Sequence, residues 1–481
     1  MRNIFILLGI LFSFQLSAQY TTAGTSLNWN FDSLANHSTA VSKSGNTYQV
    51  TQDIVISLTD TLRIDSNIRV ELGNNIELEI LGSFISNPKD SAILTAINPS
   101  QVYDQIRFDG SDYSYFNKTT FEYGGGLNVL SSNFTVENCV FQFNEAGNDG
   151  AIDLFRSNLI IRNNRFIDNQ GPAISSGANI ASAPQIINNY IESNVANGAN
   201  KSQINFGTTG SDTLIIKGNT IKGQYTNAGG IAIFPIGNVY AVIDSNVIDS
   251  NRYGIALLNA NIWASVSRNI ISNNNIQNNP NLGGSGINVM GNNSTTPIIS
   301  ENKIYGNLWG ITIQNTAKPN IGDLRPASYN VGLNEIYNNG NGGSLYNIFN
   351  NTPDSIYAQN NIWNYPNLQD VENTISHKTD DPNLGYVLYT PVSALITSLS
   401  EKVQTNEELT IYPNPSEGNM TLKSSFKVYE LAWYNLKGQL VQTNQVNGSK
   451  QLRINETNLK GYYILKVVGK NQQAFKQLIL E

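Results

Sequence analysis

The sequence contains little of what disulfide, metal and histidine chemistry require. Among its 481 residues there is one cysteine, Cys139, and the two histidines are His37 and His377. A single thiol excludes a disulfide framework, so packing and backbone hydrogen bonds must hold the fold together. Charged residues make up only 14% of the chain, and the net charge is −7. This balance argues against a nucleic-acid partner, because phosphate binding needs a basic field.

Long apolar runs are also missing after the N-terminus. Residues 1–18 read MRNIFILLGILFSFQLSA, one Arg followed by an apolar run and small residues. This order is typical of a signal peptide, and we predict cleavage after Ala18. No later stretch approaches the length of a membrane-spanning helix, so we expect no transmembrane segment in the mature chain.

A short phrase recurs through the middle of the chain. Its pattern is I-I-x-x-N-x-I-x-x-N, followed after a variable gap by G-I-x-I. The spacing predicts a solenoid with about 28 residues in each turn. The copies begin at Asn138, Asn164, Asn189, Asn219, Asn246, Asn269, Asn302, Asn334 and Asn360.

Each copy offers short alternating strands between Asn, Gly, Asp and Ser, which are turn residues. Such strands cannot bury themselves alone. Stacking each coil on the next at about 4.8 Å pairs them in parallel and creates a continuous apolar interior. The first Asn of each phrase should then join a ladder of amides. We therefore predict an all-β fold, a right-handed parallel β-helix solenoid, with Ile221, Ile248, Ile304 and Ile336 in one inward column.

Charged residues at equivalent positions test this register. Outward positions should lie beside the same positions of the next coil, and opposite charges there stabilise the pairing of neighbouring strands. Three such pairs are predicted: Lys222 with Asp249, Lys217 with Asp244, and Lys303 with Glu335.

The segments around the repeats complete the domain prediction. The β-helix is expected over residues 48–392, preceded by an N-terminal cap segment at 19–47, because an exposed coil edge invites end-to-end association. A linker is expected at 393–407. Short strands with Gly turns over 408–481 predict a small C-terminal β-sandwich.

The repeats resemble the pectin-lyase-like superfamily of right-handed β-helices over roughly residues 45–392. The resemblance implies the fold. It does not imply one activity, because that superfamily includes lyases, hydrolases, epimerases and adhesins.

The C-terminal segment resembles a type A C-terminal sorting domain of the type IX secretion system. The matching motifs are YPNP at 412–415, YNLKGQLV at 434–441 and GYYILKV from Gly461. The resemblance implies that residues 408–481 engage the secretion machinery. It also implies passage through the periplasm to the outer-membrane surface or the extracellular space.

Catalytic residues are not obvious in the repeats. A glycoside hydrolase needs two carboxylates flanking the scissile bond, and the pair Asp380 and Asp381 falls in the terminal segment instead. A lyase acting on uronate polymers needs a base and a cation that neutralises the uronate carboxylate. Candidates for such a cluster are Arg156, Arg162, Arg165, Asp149, Asp153 and Asp168, and the alternative is a solvated charged face.

No cofactor and no metal site are predicted. Glu122 and the DGSD turn at 109–112 are the only residues that suggest a Ca²⁺ site. Gly-rich turns that join strands explain both of them.

Aromatic residues supply a different candidate site. Position four of the last three phrases is occupied by Tyr305, Tyr337 and Trp363, which should stack on successive coils as a flat strip. Sugar rings pack their apolar faces on aromatic surfaces, and Trp309 either widens this strip or lies elsewhere around the coil. The alternative is an aromatic stack covered by the terminal segment.

These observations lead to one preferred hypothesis and two alternatives. We expect a secreted or surface-displayed β-helix protein that binds polysaccharide or mediates attachment without catalysis. The alternatives are a polysaccharide lyase or related enzyme acting on uronate-containing glycans, and a structural surface spacer.

Overall fold

The computed structural model of the protein describes residues 19–111, 113–145, 147, 149–393, 409–435, 440–470 and 473–480. The predicted signal peptide and all of the predicted linker except Ser393 lie outside this part of the chain. The residues before and after the linker form two separate compact units.

The first unit is a β-helix whose coils contribute strands to three sheets, named A, B and C, within the described residues. Every pairing between neighbouring coils is parallel, as in the pair Ile221 and Ile248. Sheet A contains Tyr20–Thr21, Ile54–Ile56, Glu77–Ile80, Gln105–Asp109, Leu127–Leu130, Ile152–Phe155, Ile174–Ser176, Ser202–Phe206, Gly229–Ile233, Ile255–Leu258, Ser285–Gly291, Trp309–Asn315, Ile348–Asn351 and Ile375–Ser376.

The other two sheets follow the same coils. Sheet B contains Asn28–Asn30, Thr61–Ile64, Ser83–Ser86, Tyr115–Asn117, Thr135–Glu137, Ile160–Arg162, Gln185–Ile187, Thr213–Lys217, Val239–Asp244, Ile262–Ser267 and Ile298–Ser300. Sheet C contains the hairpin of Val41–Ser44 and Thr47–Val50, followed by Arg69–Leu72, Ala92–Ala96, Thr119–Glu122, Val140–Gln142, Arg165–Ile167, Tyr190–Glu192, Thr220–Lys222, Val247–Asp249, Ile270–Ser272, Lys303–Tyr305 and Glu335–Tyr337.

Sharp corners on both sides of sheet C explain the composition of the repeat. In most phrases the residue before the phrase and the fifth residue within it take positive φ, for example Asn163 (56°), Asn188 (53°), Asn273 (53°) and Asn338 (53°). Asn tolerates this left-handed region better than most residues. The corners therefore account for much of the Asn between the apolar positions.

The predicted inward column is confirmed. Ile221, Ile248, Ile304 and Ile336 are fully buried, and Ile271 completes the column between the second and third of them. Toward the N-terminus the same interior is filled by phenylalanines, which stack with ring centroids 4.8 Å apart along Phe121, Phe141 and Phe166.

The predicted asparagine ladder is also present. The backbone N–H and the side-chain Nδ2 of Asn219 both donate to Oδ1 of Asn246 at 2.9 Å. Asn246 repeats this pattern with Asn269. Successive ladder positions are 23 to 33 residues apart. The number of residues in a coil therefore varies, while the hydrogen bonds of the ladder stay the same.

A second ladder follows the sixth position of the phrases, and one of its rungs is filled from another strand. The phrase beginning at Asn219 ends in Gln224, which is exposed. Gln203 of sheet A places its amide in the gap instead, accepting from Asn194 at 3.0 Å and donating to Asn251 at 2.9 Å. A buried amide without hydrogen-bond partners costs free energy. The Gln203 side chain avoids this cost, because it supplies the partners that Asn194 and Asn251 would otherwise lack in the ladder.

The two outermost phrases are displaced by one residue from their predicted starts. Cys139, not Asn138, donates its backbone N–H to Oδ1 of Asn164, at 2.9 Å. At the other end Asn361, not Asn360, accepts from Asn334, at 2.9 Å. Asn138 and Asn360 are the corner residues, with φ of 53° and 58°.

The three predicted charge pairs are neighbours in register. Lys217 reaches Asp244 at 3.2 Å, and Lys303 reaches Glu335 at 3.1 Å. Lys222 lies beside Asp249, but its ammonium pairs with Glu192 of the preceding coil at 3.3 Å.

Residues 19–47 are joined to the first coil through a buried carboxylate. Asp60 accepts from the backbone N–H groups of Gly24 and Leu27 at 2.9 Å and from Nε1 of Trp29 at 3.1 Å. Helix α1, Phe31–His37, begins at a capping box formed by Asn30 and Ser33.

The C-terminal end of the solenoid carries short elements. They are helix α2 (Leu368–Glu372), a 3₁₀ turn (Pro326–Ser328), and the strand pairs Gly340–Asn341 with Ser344–Leu345 and Ile356–Tyr357 with Val387–Leu388. Within the described residues, no helix is long and apolar enough to span a membrane.

The second unit is an antiparallel sheet with a core of its own. Its strands are Thr410–Tyr412, Asn419–Asn435, Leu440–Asn455, Gly461–Val468 and Gln473–Leu480. The two long strands are interrupted by β-bulges. Trp433, Leu465 and Leu478 are among its most deeply buried residues.

Candidate functional site

The predicted aromatic stack forms on sheet C, but with two members instead of three. Tyr305 and Tyr337 lie in register with ring centroids 5.3 Å apart and planes 9° from parallel. Each ring therefore covers one face of the other. The Lys303 ammonium lies within 5.8 Å of both ring centroids.

Trp363 does not join this stack, and the predicted three-membered strip is wrong. The one-residue displacement of the last phrase pairs Ile362 with Glu335. Trp363 consequently lies beside Ile336, as the next member of the inward column, and its side chain is fully buried. It closes the end of the interior, with Tyr389 in edge contact at 6.0 Å between ring centroids.

Trp309 lies on another side of the solenoid, at the start of a strand of sheet A. Its Nε1 donates to the carbonyl of Pro280 at 3.0 Å. The indole lies against Phe349 and Tyr346 of the following coil, with centroid distances of 5.2 and 4.6 Å. It is therefore separate from Tyr305 and Tyr337.

Trp309 borders a groove on the outer face of sheet A, with a cavity volume of about 510 Å³. Two columns in register form its floor: Ala256, Asn288, Thr312 and Phe349 in one, and Leu258, Met290, Gln314 and Asn351 in the other. One wall is the loop at 280–283, which precedes the strand Ser285–Gly291.

Arg252 holds that wall in place. Its Nε donates to Oε1 of Gln277 at 2.8 Å, and its two terminal nitrogens donate to Oδ1 of Asn200 and to the carbonyl of Leu282. The backbone carbonyl of Arg252 accepts from the N–H of Gly284 at 2.8 Å. One side chain therefore connects loops from different coils.

The groove is rich in amides. Gln314 donates to Oδ1 of Asn288 at 3.1 Å, and Asn281 and Asn351 also line the cavity. Arg252 is the one charged side chain among the lining residues, all of which lie in the described part of the chain. The arrangement suits a ligand with many hydroxyls, because amides both donate and accept.

The predicted lyase cluster is not assembled by the fold. Arg156 follows a strand of sheet A, Arg162 ends one of sheet B, and Arg165 begins one of sheet C. Arg162 pairs with Glu137 at 2.6 Å, and Arg165 lies over the ring of Tyr190 at 5.6 Å. The three arginines share one coil but lie along its three different sides.

Two of the three predicted aspartates do come close. Burial, together with the nearby charge of Asp149, raises the pKa of Asp153 to about 6. Asp153 accepts a hydrogen bond from the Ser175 hydroxyl. Asp168 lies at the corner after sheet C, and burial raises its pKa too. Within the described residues, no group of three or more His, Cys, Asp or Glu side chains is arranged to hold a metal ion.

Comparison with protein families matches three segments of the chain. Residues 87–207 match the right-handed β-helix region, and residues 236–368 match a family described as a protein of unknown function (DUF1565). Residues 410–481 match the secretion system C-terminal sorting domain. The chain is a right-handed β-helix protein with a C-terminal sorting domain. No curated protein and no solved structure matched it.

The sorting domain determines where this β-helix protein works. It is a domain of the type IX secretion system, so the protein is handled by that machinery and is exported to the cell surface or the extracellular space.

Sequence reasoning missed the groove of the β-helix protein, although one signal for it was present. Successive ladder positions are 23 residues apart from Asn246 to Asn269 but 33 apart from Asn269 to Asn302. The additional residues include the wall loop at 280–283. An unusually long coil next to a tryptophan was therefore the available clue.

Proposed function

We propose that this exported β-helix protein binds glycan, without catalysis, in the groove on sheet A. The observation that carries the proposal is the position of Trp309, which stacks on the floor residue Phe349 next to amide side chains.

The chemistry of the groove matches that of a sugar. A pyranose has an apolar face that packs on aromatic rings, and hydroxyls that need both donors and acceptors. Asn288, Gln314 and Asn351 supply both kinds of group at the floor. A cavity of about 510 Å³ lies within the usual range for small-molecule sites.

The groove favours binding over hydrolysis. Hydrolysis of a glycosidic bond uses two carboxyl groups on opposite sides of the bond, and the described lining residues include no Asp or Glu. Arg252 is engaged with three acceptors in the wall, which supports a role in shaping the groove.

The proposal is tested by comparing two aromatic substitutions. Binding to polygalacturonate, alginate, pullulan and hyaluronan is measured by calorimetry for the native protein, Trp309→Ala and Tyr337→Ala. We expect Trp309→Ala to weaken binding about tenfold or more, equivalent to about 1.4 kcal/mol, because an aromatic stacking surface is lost.

Tyr337→Ala is the matched control, because Tyr337 is an aromatic residue stacked on sheet C, away from the groove. Its affinity should equal that of the native protein. Equal affinity of Trp309→Ala and the native protein would refute the assignment of the groove, as would binding that depends on Tyr337 alone.

A further inference from the structure

The floor of the groove continues one coil beyond the cavity. Ala256 and Leu258 are the last lining residues of the two columns toward the N-terminus. In the preceding coil Ala232 pairs with Ala256, and Phe234 lies beside Leu258, because the residues just before these two are also partners. Ala232 is 4% exposed and Ala256 is 3% exposed. The same two columns therefore extend to Phe234.

Phe234 begins a turn that holds apolar side chains in solvent. Its side chain is 51% exposed, and that of Ile236 is 66% exposed. Hydrogen bonds fix the turn. Nδ2 of Asn259 donates to the carbonyl of Pro235 at 2.7 Å, and the N–H of Ile236 donates to the carbonyl of Ala178, also at 2.7 Å. Single exposed apolar residues are ordinary, but neighbouring ones beside a groove indicate a contact surface.

Aromatic side chains consequently lie at both ends of this extended floor. Phe349, on which Trp309 stacks, and Phe234 occupy neighbouring columns, four coils apart. Four coil spacings correspond to about 19 Å along the solenoid axis. The amides of Asn288 and Gln314 lie between the two ends. One sugar ring cannot contact both ends.

A ligand that uses both aromatic contacts must be a chain of several sugar rings. We propose, on the basis of the proposed function, that the groove binds a stretch of polysaccharide lying along the solenoid axis, with one sugar ring at Trp309 and Phe349 and another at Phe234. The apolar face of a sugar packs on the Phe234 ring, and because the turn is already fixed, little conformational entropy is lost on binding. Phe234 is then the residue that makes the site prefer long chains to short oligosaccharides.

Chain length tests this arrangement. The native protein, Phe234→Ala and Trp309→Ala are titrated by calorimetry with disaccharides and hexasaccharides made from polygalacturonate, alginate, pullulan and hyaluronan. The native protein should bind the hexasaccharide of its preferred glycan more tightly than the disaccharide. Phe234→Ala should weaken hexasaccharide binding about threefold to tenfold and leave disaccharide binding unchanged. Trp309→Ala should weaken the binding of both.

Two further variants separate the contact from an effect on folding. Phe234→Trp keeps an aromatic ring and should bind the hexasaccharide as the native protein does. Phe143→Ala removes an exposed phenylalanine after a strand of sheet C and should also leave the affinity unchanged.

The outcomes distinguish this inference from the proposed function. Equal hexasaccharide affinity of Phe234→Ala and the native protein would overturn the inference, while a loss in Trp309→Ala would leave the proposed function intact. An equal loss for both chain lengths in Phe234→Ala would overturn the preference for long chains assigned to Phe234. Absence of binding to every probe would overturn the proposed function and this inference together.

Discussion

Substitution of one asparagine in the buried ladder has a cost that follows directly from the contacts. Asn246→Ala removes the acceptor of two donors on Asn219, its backbone N–H and its Nδ2, both at 2.9 Å. It also removes donation to Oδ1 of Asn269 and to the carbonyl of Ile216, again at 2.9 Å each.

The size of the expected stability loss depends on the polar groups that Asn246→Ala leaves without hydrogen-bond partners. The Asn219 Nδ2 retains the carbonyl of Ile186 at 2.9 Å, but the backbone N–H of Asn219 loses the acceptor that it had. A buried donor without a partner costs about 1–3 kcal/mol, and the space of the missing amide adds to this. We expect the free energy of unfolding to fall by about 3–5 kcal/mol.

Urea unfolding and amide hydrogen exchange measure this loss. Exchange at Asn219 should accelerate most, because coils of a solenoid can open locally. The control is Asn293→Ala, which removes an exposed asparagine from a turn and should change stability by less than about 0.5 kcal/mol. If the two variants unfold at the same urea concentration, the ladder does not carry the stability assigned to it.

Three further predictions concern buried carboxylates. Burial alone would raise the pKa of Asp244, but hydrogen bonds from Lys217 and Ser267 and the nearby Arg268 leave it lowered. Its stabilising contribution is therefore present above the unfolded pKa of about 3.9 and is lost as pH falls below that value. Asp244→Asn should flatten the acid limb of a stability-versus-pH curve, and an unchanged limb would refute this. The folded pKa of Asp153 is about 6, above its unfolded value, so its charge opposes folding at neutral pH. Asp153→Asn should therefore stabilise the protein by about 3 kcal/mol at pH 7 and by almost nothing below about pH 3, as measured by urea titration. Asp60→Ala should expose residues 24–29 to limited proteolysis without unfolding the coils, and unchanged cleavage would contradict its anchoring role.

The periodic features of the fold were accessible from sequence because each depends on residue type at a fixed spacing. The inward isoleucines, the ladder and the pair Lys303 with Glu335 follow once coils are superposed, and all are present. Register failed at the ends, where Asn138 and Asn360 look like ladder residues but occupy corners. Two adjacent asparagines at 360 and 361 cannot be distinguished by pattern alone.

The candidate site was harder to predict from the sequence, because it depends on loops of unequal length. The arginines 156, 162 and 165 are close in sequence, but a coil with three sides separates them. Conversely, Arg252 and Asn200 are 52 residues apart and hydrogen-bonded. No periodicity predicts such a contact between two loops.

The position of a bound oligosaccharide shows whether the groove on sheet A is the glycan site. A crystal structure of the native protein with the oligosaccharide that binds most tightly should show sugar rings beside Trp309 and over the floor residues Asn288 and Gln314. Sugar bound at Tyr305 and Tyr337 on sheet C, with the groove on sheet A unchanged from the free protein, would show that the groove is not the glycan site.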